Sequence, residues 1–125
     1  MSSRCAVALS FAILAVGCGA SDSGTSPTPT PPGSTLTITP TGVAPKTITV
    51  SVGSQVTFVN SDAVSHQMYS DPHPEHTDCP EINQVGFLSP GEARQTGNLT
   101  IARTCGFHDH NQPLNRSLQG NIVIR

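Results

Sequence analysis

The sequence predicts an all-β domain, a sandwich or barrel of short strands, and two observations carry that expectation. Thr, Val and Ile alternate with polar residues in short runs, and Gly, Pro, Asn and Asp interrupt the runs at frequent intervals. A period of two bounded by turn formers is the pattern of strands with one buried face. The second observation is that no apolar run beyond the extreme N-terminus has helical periodicity. Spacing of this kind favours an antiparallel arrangement.

Taken in chain order, the first element is a leader. Arg4 precedes "AVALSFAILAVG", which is too short to span a bilayer as a mature helix and has the length of a signal-peptide core. It ends at Cys18 in "LAVGC", which resembles a bacterial lipobox, where a cysteine after a small residue is acylated and becomes the new N-terminus. Ala15 stands where Leu is commoner, and ordinary cleavage after Ala20 is the alternative. Residues 1–18 are therefore read as an export signal. Residues 19–35, "GASDSGTSPTPTPPGST", hold almost no apolar side chain and cannot bury enough surface to offset their conformational entropy, so they are read as a disordered tether. With a lipid on Cys18, about 17 such residues would keep a domain within a few nanometres of a membrane.

Residues 36–125 are read as one domain, long enough for a single core. "LTITP", "KTITVSV", "SQVTFVN", "HQMYS", "NLTIAR" and "NIVIR" each read as a strand with one buried face. The chain has six Lys and Arg and eight Asp and Glu, and losing Arg4 with the leader leaves five basic residues, so no basic patch argues for nucleic acid. The absence of Trp and the single Tyr69 weigh against a surface that stacks on carbohydrate. No Ser or Cys nucleophile with a paired base is apparent.

Of four cysteines, Cys5 leaves with the leader and Cys18 is taken by the lipid, so Cys79 and Cys105 remain. In an oxidising compartment such a pair is more often joined than free. Yet "CGFHDH", residues 105–110, also places Cys105 beside two histidines, which leaves a metal thiolate open.

"VGSQVTFVNSDAVSH" gives a tight glycine, an alternating strand, Asn60 and Asp62 at its exit and then His66; "CGFHDH" ends a later strand and "LQGNIVIR" closes the sheet. Over nearly all of residues 45–125 this succession resembles the cupredoxins, small Greek-key copper proteins, and the resemblance implies a Greek-key β-sandwich with His66 as a copper ligand. The copper loop departs from the family. A blue-copper loop runs Cys, His and then usually Met, whereas here only Gln112 or Leu114 stands at the axial position. On a regular strand Leu99, Ile101, Arg103, Cys105 and Phe107 share one face and His108 lies on the other. Taking Phe107 as the core aromatic puts Asp109 where the family keeps its thiolate.

The segments "SDPHPEHTDCP" and "FHDHNQP" are similar to those of a group of bacterial cupredoxin-like lipoproteins that carry SDPHPxHTD and FHDH or YHDH segments and lack the thiolate. Cys79 and Cys105 then stand out as a joint addition to that pattern, as a disulfide would, with Cys105 as a copper thiolate the alternative. The resemblance brings all five histidines to one end of the sandwich. It implies one copper ion on His66, His108 and His110, with His73, His76 and Asp109 as secondary candidates. His108 and His110 are two apart and point to the same side of a strand, while His73 and His76 flank Pro74 and read as a rigid lip. Asp71, Glu75, Asp78 and Asp109 are candidates either to fix tautomers or to join the metal shell. Imidazole suits copper, and zinc is the alternative ion.

The expected function is electron transfer or copper handling in the cell envelope, facing the periplasm or the cell surface. It is expected in a monomer that meets a redox or copper-handling protein and touches the membrane only through its lipid. Two alternatives stand beside it: a small copper enzyme with an open site for an oxygen species, and a metal-free adhesion module. If Cys18 carries the anchor, Cys18→Ser should move the protein from the membrane fraction to the soluble fraction with its domain still folded. Unchanged membrane association on fractionation would refute the anchor.

Overall fold

A computed structural model of the chain describes residues 33–125. The leader, Cys18 and most of the tether lie outside the described residues. Nine strands follow in order: β1 Thr35–Thr39, β2 Gly42–Ala44, β3 Thr47–Val50, β4 Thr57–Asn60, β5 His66–Ser70, β6 Gly86–Leu88, β7 Ala93–Gln95, β8 Arg103–Asp109 and β9 Gly120–Ile124, with short 3-10 turns at Pro80–Gln84 and Arg116–Leu118. They form two sheets, one ordered β2-β1-β4-β7 and the other β3-β9-β8-β5-β6.

The alternation in the sequence assigns the faces. Leu36 and Ile38 of β1, Phe58 of β4, Ile48 and Val50 of β3, Phe107 of β8, Met68 of β5 and Ile122 and Ile124 of β9 are all buried, and together they make the single core between the sheets. Phe58 and Phe107 meet edge to face across it with ring centroids 5.2 Å apart. That geometry suits the quadrupoles of two aromatic rings.

Three features differ from the expectation. The sheets are mixed, because β1 runs parallel to β4 and β3 parallel to β9; alternation reports which side is buried and says nothing of strand direction. "NLTIAR" is not a strand through its length. Leu99 is buried and makes only an isolated bridge to Ser54, Ile101 is exposed, and pairing begins at Arg103, where β9 supplies a partner. Finally, β2, β6 and β7 have only three residues each, too few to show a period.

Because Phe107 is fully buried and one of two rings that fill the centre of the sandwich, Phe107→Ala should cost about 3–5 kcal/mol. Chemical denaturation of the two proteins measures it, and a loss below about 1 kcal/mol would show that the ring is not part of the core.

Candidate metal centre

Strand β8 has two working faces. Cys105, Phe107 and Asp109 are fully buried and face the core, so Gly106 and His108 face outward, and His110 follows just past the strand end. On the neighbouring β5, His66, Met68 and Ser70 are buried while Gln67 and Tyr69 are partly exposed. Tyr69 stands directly across from His108 in the register.

Residues 71–78, "DPHPEHTD", form a loop over this outer face. Its neck is closed by hydrogen bonds from Asp78 N to Asp71 O (2.9 Å) and from Cys79 N to Ser70 Oγ (2.9 Å), and its turn by His76 N to Pro72 O (2.7 Å). Asp71 N donates to Gly106 O (3.0 Å), which seats the loop on β8. A β-carbon at Gly106 would overlap the Asp71 carboxylate, so the loop comes this close only because that position is glycine. The loop covers His108, leaving it 2 % exposed on what is otherwise the outside of the sheet.

The result is a group of four imidazoles. One ring nitrogen from each of His73, His76, His108 and His110 lies within 4.8 Å of the other three. Two of the rings are held from behind. His108 Nδ1 donates to Asp71 Oδ1 at 2.6 Å, and its Nε2 is buried without a hydrogen-bonding partner. His76 Nδ1 donates to the Ser70 carbonyl at 2.9 Å, leaving the lone pair of Nε2 facing His110 Nδ1 at 3.0 Å. Anchoring the outer nitrogen on a carboxylate or carbonyl fixes the tautomer and turns the other lone pair inward, as in histidines that ligate metals. Two nitrogens bound to one ion at about 2.0–2.1 Å sit about 3 Å apart at a right angle, so the observed pair fits a shared ion. Tyr69 packs on the rings of His76 and His110, with centroids at 4.8 and 5.4 Å.

His73 is the exposed member of the group. Its pKa is held below the ordinary histidine value, first by partial loss of water and then by repulsion from His110, His108 and His76, with Glu75 acting in the opposite sense.

His66 stands apart from these four. It is buried on the core side of β5, with Nδ1 2.7 Å from Asp109 Oδ2 and Nε2 3.2 Å from Asp62 Oδ2. Both nitrogens are held by carboxylate oxygens, and neither is among the four clustered ring nitrogens. Asp109 is equally committed: its Oδ1 accepts from Gln67 N (3.2 Å) and Asn111 N (2.9 Å). The structure thus gathers His108 and His110 with His73 and His76, and places His66 and Asp109 together on the opposite face.

Cys79 and Cys105 form a disulfide, with Cα atoms 5.8 Å apart, so Cys105 offers no thiolate. Asp71 was legible as a partner for a ring. The Ser70 carbonyl and the space at Gly106 were not, although counting back by two from His108 along the strand leads to Gly106.

The two sheets, their strand order and the loops gathered at β8 make a cupredoxin-like sandwich. Among solved structures the chain is similar to a purple cupredoxin from Nitrosopumilus maritimus, with a TM-score of 0.58 and 16% identity over 74% of this chain and 99% of that one. It is similar to a variant of amicyanin in its Cu(I) form, with a TM-score of 0.58 and 18% identity over 73% of this chain and 80% of the other. A mutant plastocyanin of fern gives 0.56 and 18%, over 73% and 99%. No family model and no curated protein sequence matches the chain.

His66→Ala should leave metal affinity within a few-fold while costing about 3–5 kcal/mol, because Asp109 would lose the partner of its buried carboxylate. Metal titration alongside chemical denaturation separates the two effects. A large loss of affinity at unchanged stability would return His66 to the metal shell.

Proposed function

We propose that this is an exported, lipid-anchored protein that binds one copper ion through His73, His76, His108 and His110 and holds or passes copper in the cell envelope. The observation that carries the reading is the buried, unpartnered Nε2 of His108, whose other nitrogen is fixed by Asp71, in a group of four imidazoles spanning 4.8 Å. A polar atom so buried without a partner calls for a ligand. The leader, Cys18 and the tether support export and anchoring.

The donor set favours copper(II). Sulfur donors select copper(I), and among the described residues the two cysteines, Cys79 and Cys105, are paired while Met68 lies on the core face of β5. Nitrogen donors suit copper(II) and also zinc, and affinity among divalent ions rises toward copper. When bound, the ion would supply a one-electron couple. His108 and His76 would hold it in fixed orientations through Asp71 and Ser70, and the loop would shield its inner side from water. Electron transfer is the second reading, favoured by the likeness to amicyanin and plastocyanin.

The test is to load the leaderless protein with copper(II), measure the bound metal, and record electron paramagnetic and optical spectra. One ion per chain, nitrogen coupling and no intense thiolate band are expected. Asp71→Asn should lower affinity about 10- to 100-fold, the usual effect of losing an outer partner, and His108→Ala with His110→Ala should abolish tight binding. Full affinity in that double variant would overturn the proposal.

A further inference from the structure

The four histidines come from two segments, His73 and His76 on the 71–78 loop and His108 and His110 at the end of β8. The Cys79–Cys105 disulfide joins those two segments, with Cys79 three positions after His76 and Cys105 three positions before His108. Resting on the metal-site reading above, we propose that this disulfide is a positioning element of the site, setting where the loop histidines stand relative to the strand histidines.

Geometry supports this in three ways. The last β5–β8 pair is Ser70 with Phe107, so Cys105 lies beyond the end of β5. There the chain passes from the outer face, where the loop lies, to the core, where Cys79 is fully buried. The disulfide fixes that crossing.

Next, Cys79 is linked to a metal-site ring through Ser70. Cys79 N donates to Ser70 Oγ at 2.9 Å, and the carbonyl of the same serine holds His76 Nδ1 at 2.9 Å. Asn83 closes the circuit, accepting from Ser70 N at 3.0 Å and donating to His76 O at 2.8 Å. A shift of Cys79 therefore moves the group that sets the tautomer of His76.

Finally, the other links between loop and strand are weaker. They include the bond from Asp71 N to Gly106 O, the contact of Asp71 with His108, the contact of His76 Nε2 with His110 Nδ1 at 3.0 Å, and the ion pair of Arg103 with Glu81 at 3.0 Å. Asp71 is about half exposed and the ion pair partly so, and partly exposed charge pairs contribute little. Pro72 to Glu75 are exposed, so apart from the disulfide the loop is held by single hydrogen bonds, at its neck, at Asp71 and through His76.

The experiment compares copper(II) affinity, by competition with a chelator of known strength, in four leaderless proteins: wild type, Cys79→Ala/Cys105→Ala, His73→Ala/His76→Ala, and the variant carrying all four changes. Circular dichroism and denaturation establish that each is folded. Removing the cysteines should weaken binding about 10- to 100-fold, the scale of an outer partner. In the background without His73 and His76 the same change should alter it by less than about threefold, because the ligands it positions are gone. A bridge that only stabilises the core would lower the denaturation midpoint and leave the affinity of the folded protein untouched, and that result overturns the inference while leaving the copper reading intact. Absence of copper binding in the wild type overturns both.

Should the cysteine-free protein fail to fold, the wild type decides through reduction by a water-soluble phosphine in the presence of zinc(II), which is redox-inert. In that reaction the phosphine gains an oxygen from water and the two sulfurs leave as thiols, counted by alkylation and mass measurement. Both cysteines are buried, so the reagent needs the loop to open. Zinc bound across loop and strand stabilises the closed form and lowers the population of the open form that the reagent attacks, so it should slow reduction at least about tenfold. An unchanged rate overturns the proposal.

Discussion

A β-strand turns alternate side chains to opposite sides, and in β8 that period of two is the constraint on which the rest of the molecule turns. Cys105, Phe107 and Asp109 belong to the core, and Gly106 and His108 to the outer face. Each set is tied to a separate part of the structure. The inner set meets Phe58, Cys79 and His66. The outer set receives the 71–78 loop, with the missing side chain of Gly106 admitting Asp71 and Asp71 orienting His108. A one-residue slip in the pairing of β8 with β5 or β9 would exchange the two sets and destroy both.

The inner face at this end of the sandwich is closed by hydrogen bonds. His66 lies between Asp109 and Asp62, and Asp109 also takes the backbone amides of Gln67 and Asn111. Asn60 completes the closure by donating to Val64 O and Leu88 O and accepting from Asp62 N. Buried polar groups that are all paired in this way give a rigid, specific arrangement. The same arrangement ties the end of β8 to β5, and the His110 backbone N–H keeps that residue at the edge of the outer group by donating a hydrogen bond to Gln67 O at 2.7 Å.

Much of this was legible in the residues and part of it was not. Long alternating runs such as "KTITVSV" and "SQVTFVN" marked strands because β-branched side chains pack well on a pleated, half-buried surface. The face split at Phe107 was legible for the same reason, and so was the common side of His108 and His110. "NLTIAR" carried the same alternation without a partner strand, a property of the whole fold that no local pattern encodes. The position of His73 and His76 was illegible because backbone bonds at the neck of the loop and an absent β-carbon on a strand many residues away set it. At His66 the family pattern pointed to a ligand, and the neighbouring acids Asp62 and Asp109 were the sign that its nitrogens had other partners.

The core needs nothing from the outer group of histidines. Phe58, Phe107 and the aliphatic side chains around them fill the space between the sheets, and the disulfide closes one end. This separation bears on exchange. In small domains where an ion sits inside the fold, the chain cannot finish folding until the ion arrives. Here the packing between the sheets does not pass through the four imidazoles, so a ligand they hold can come and go without unmaking the core beneath it.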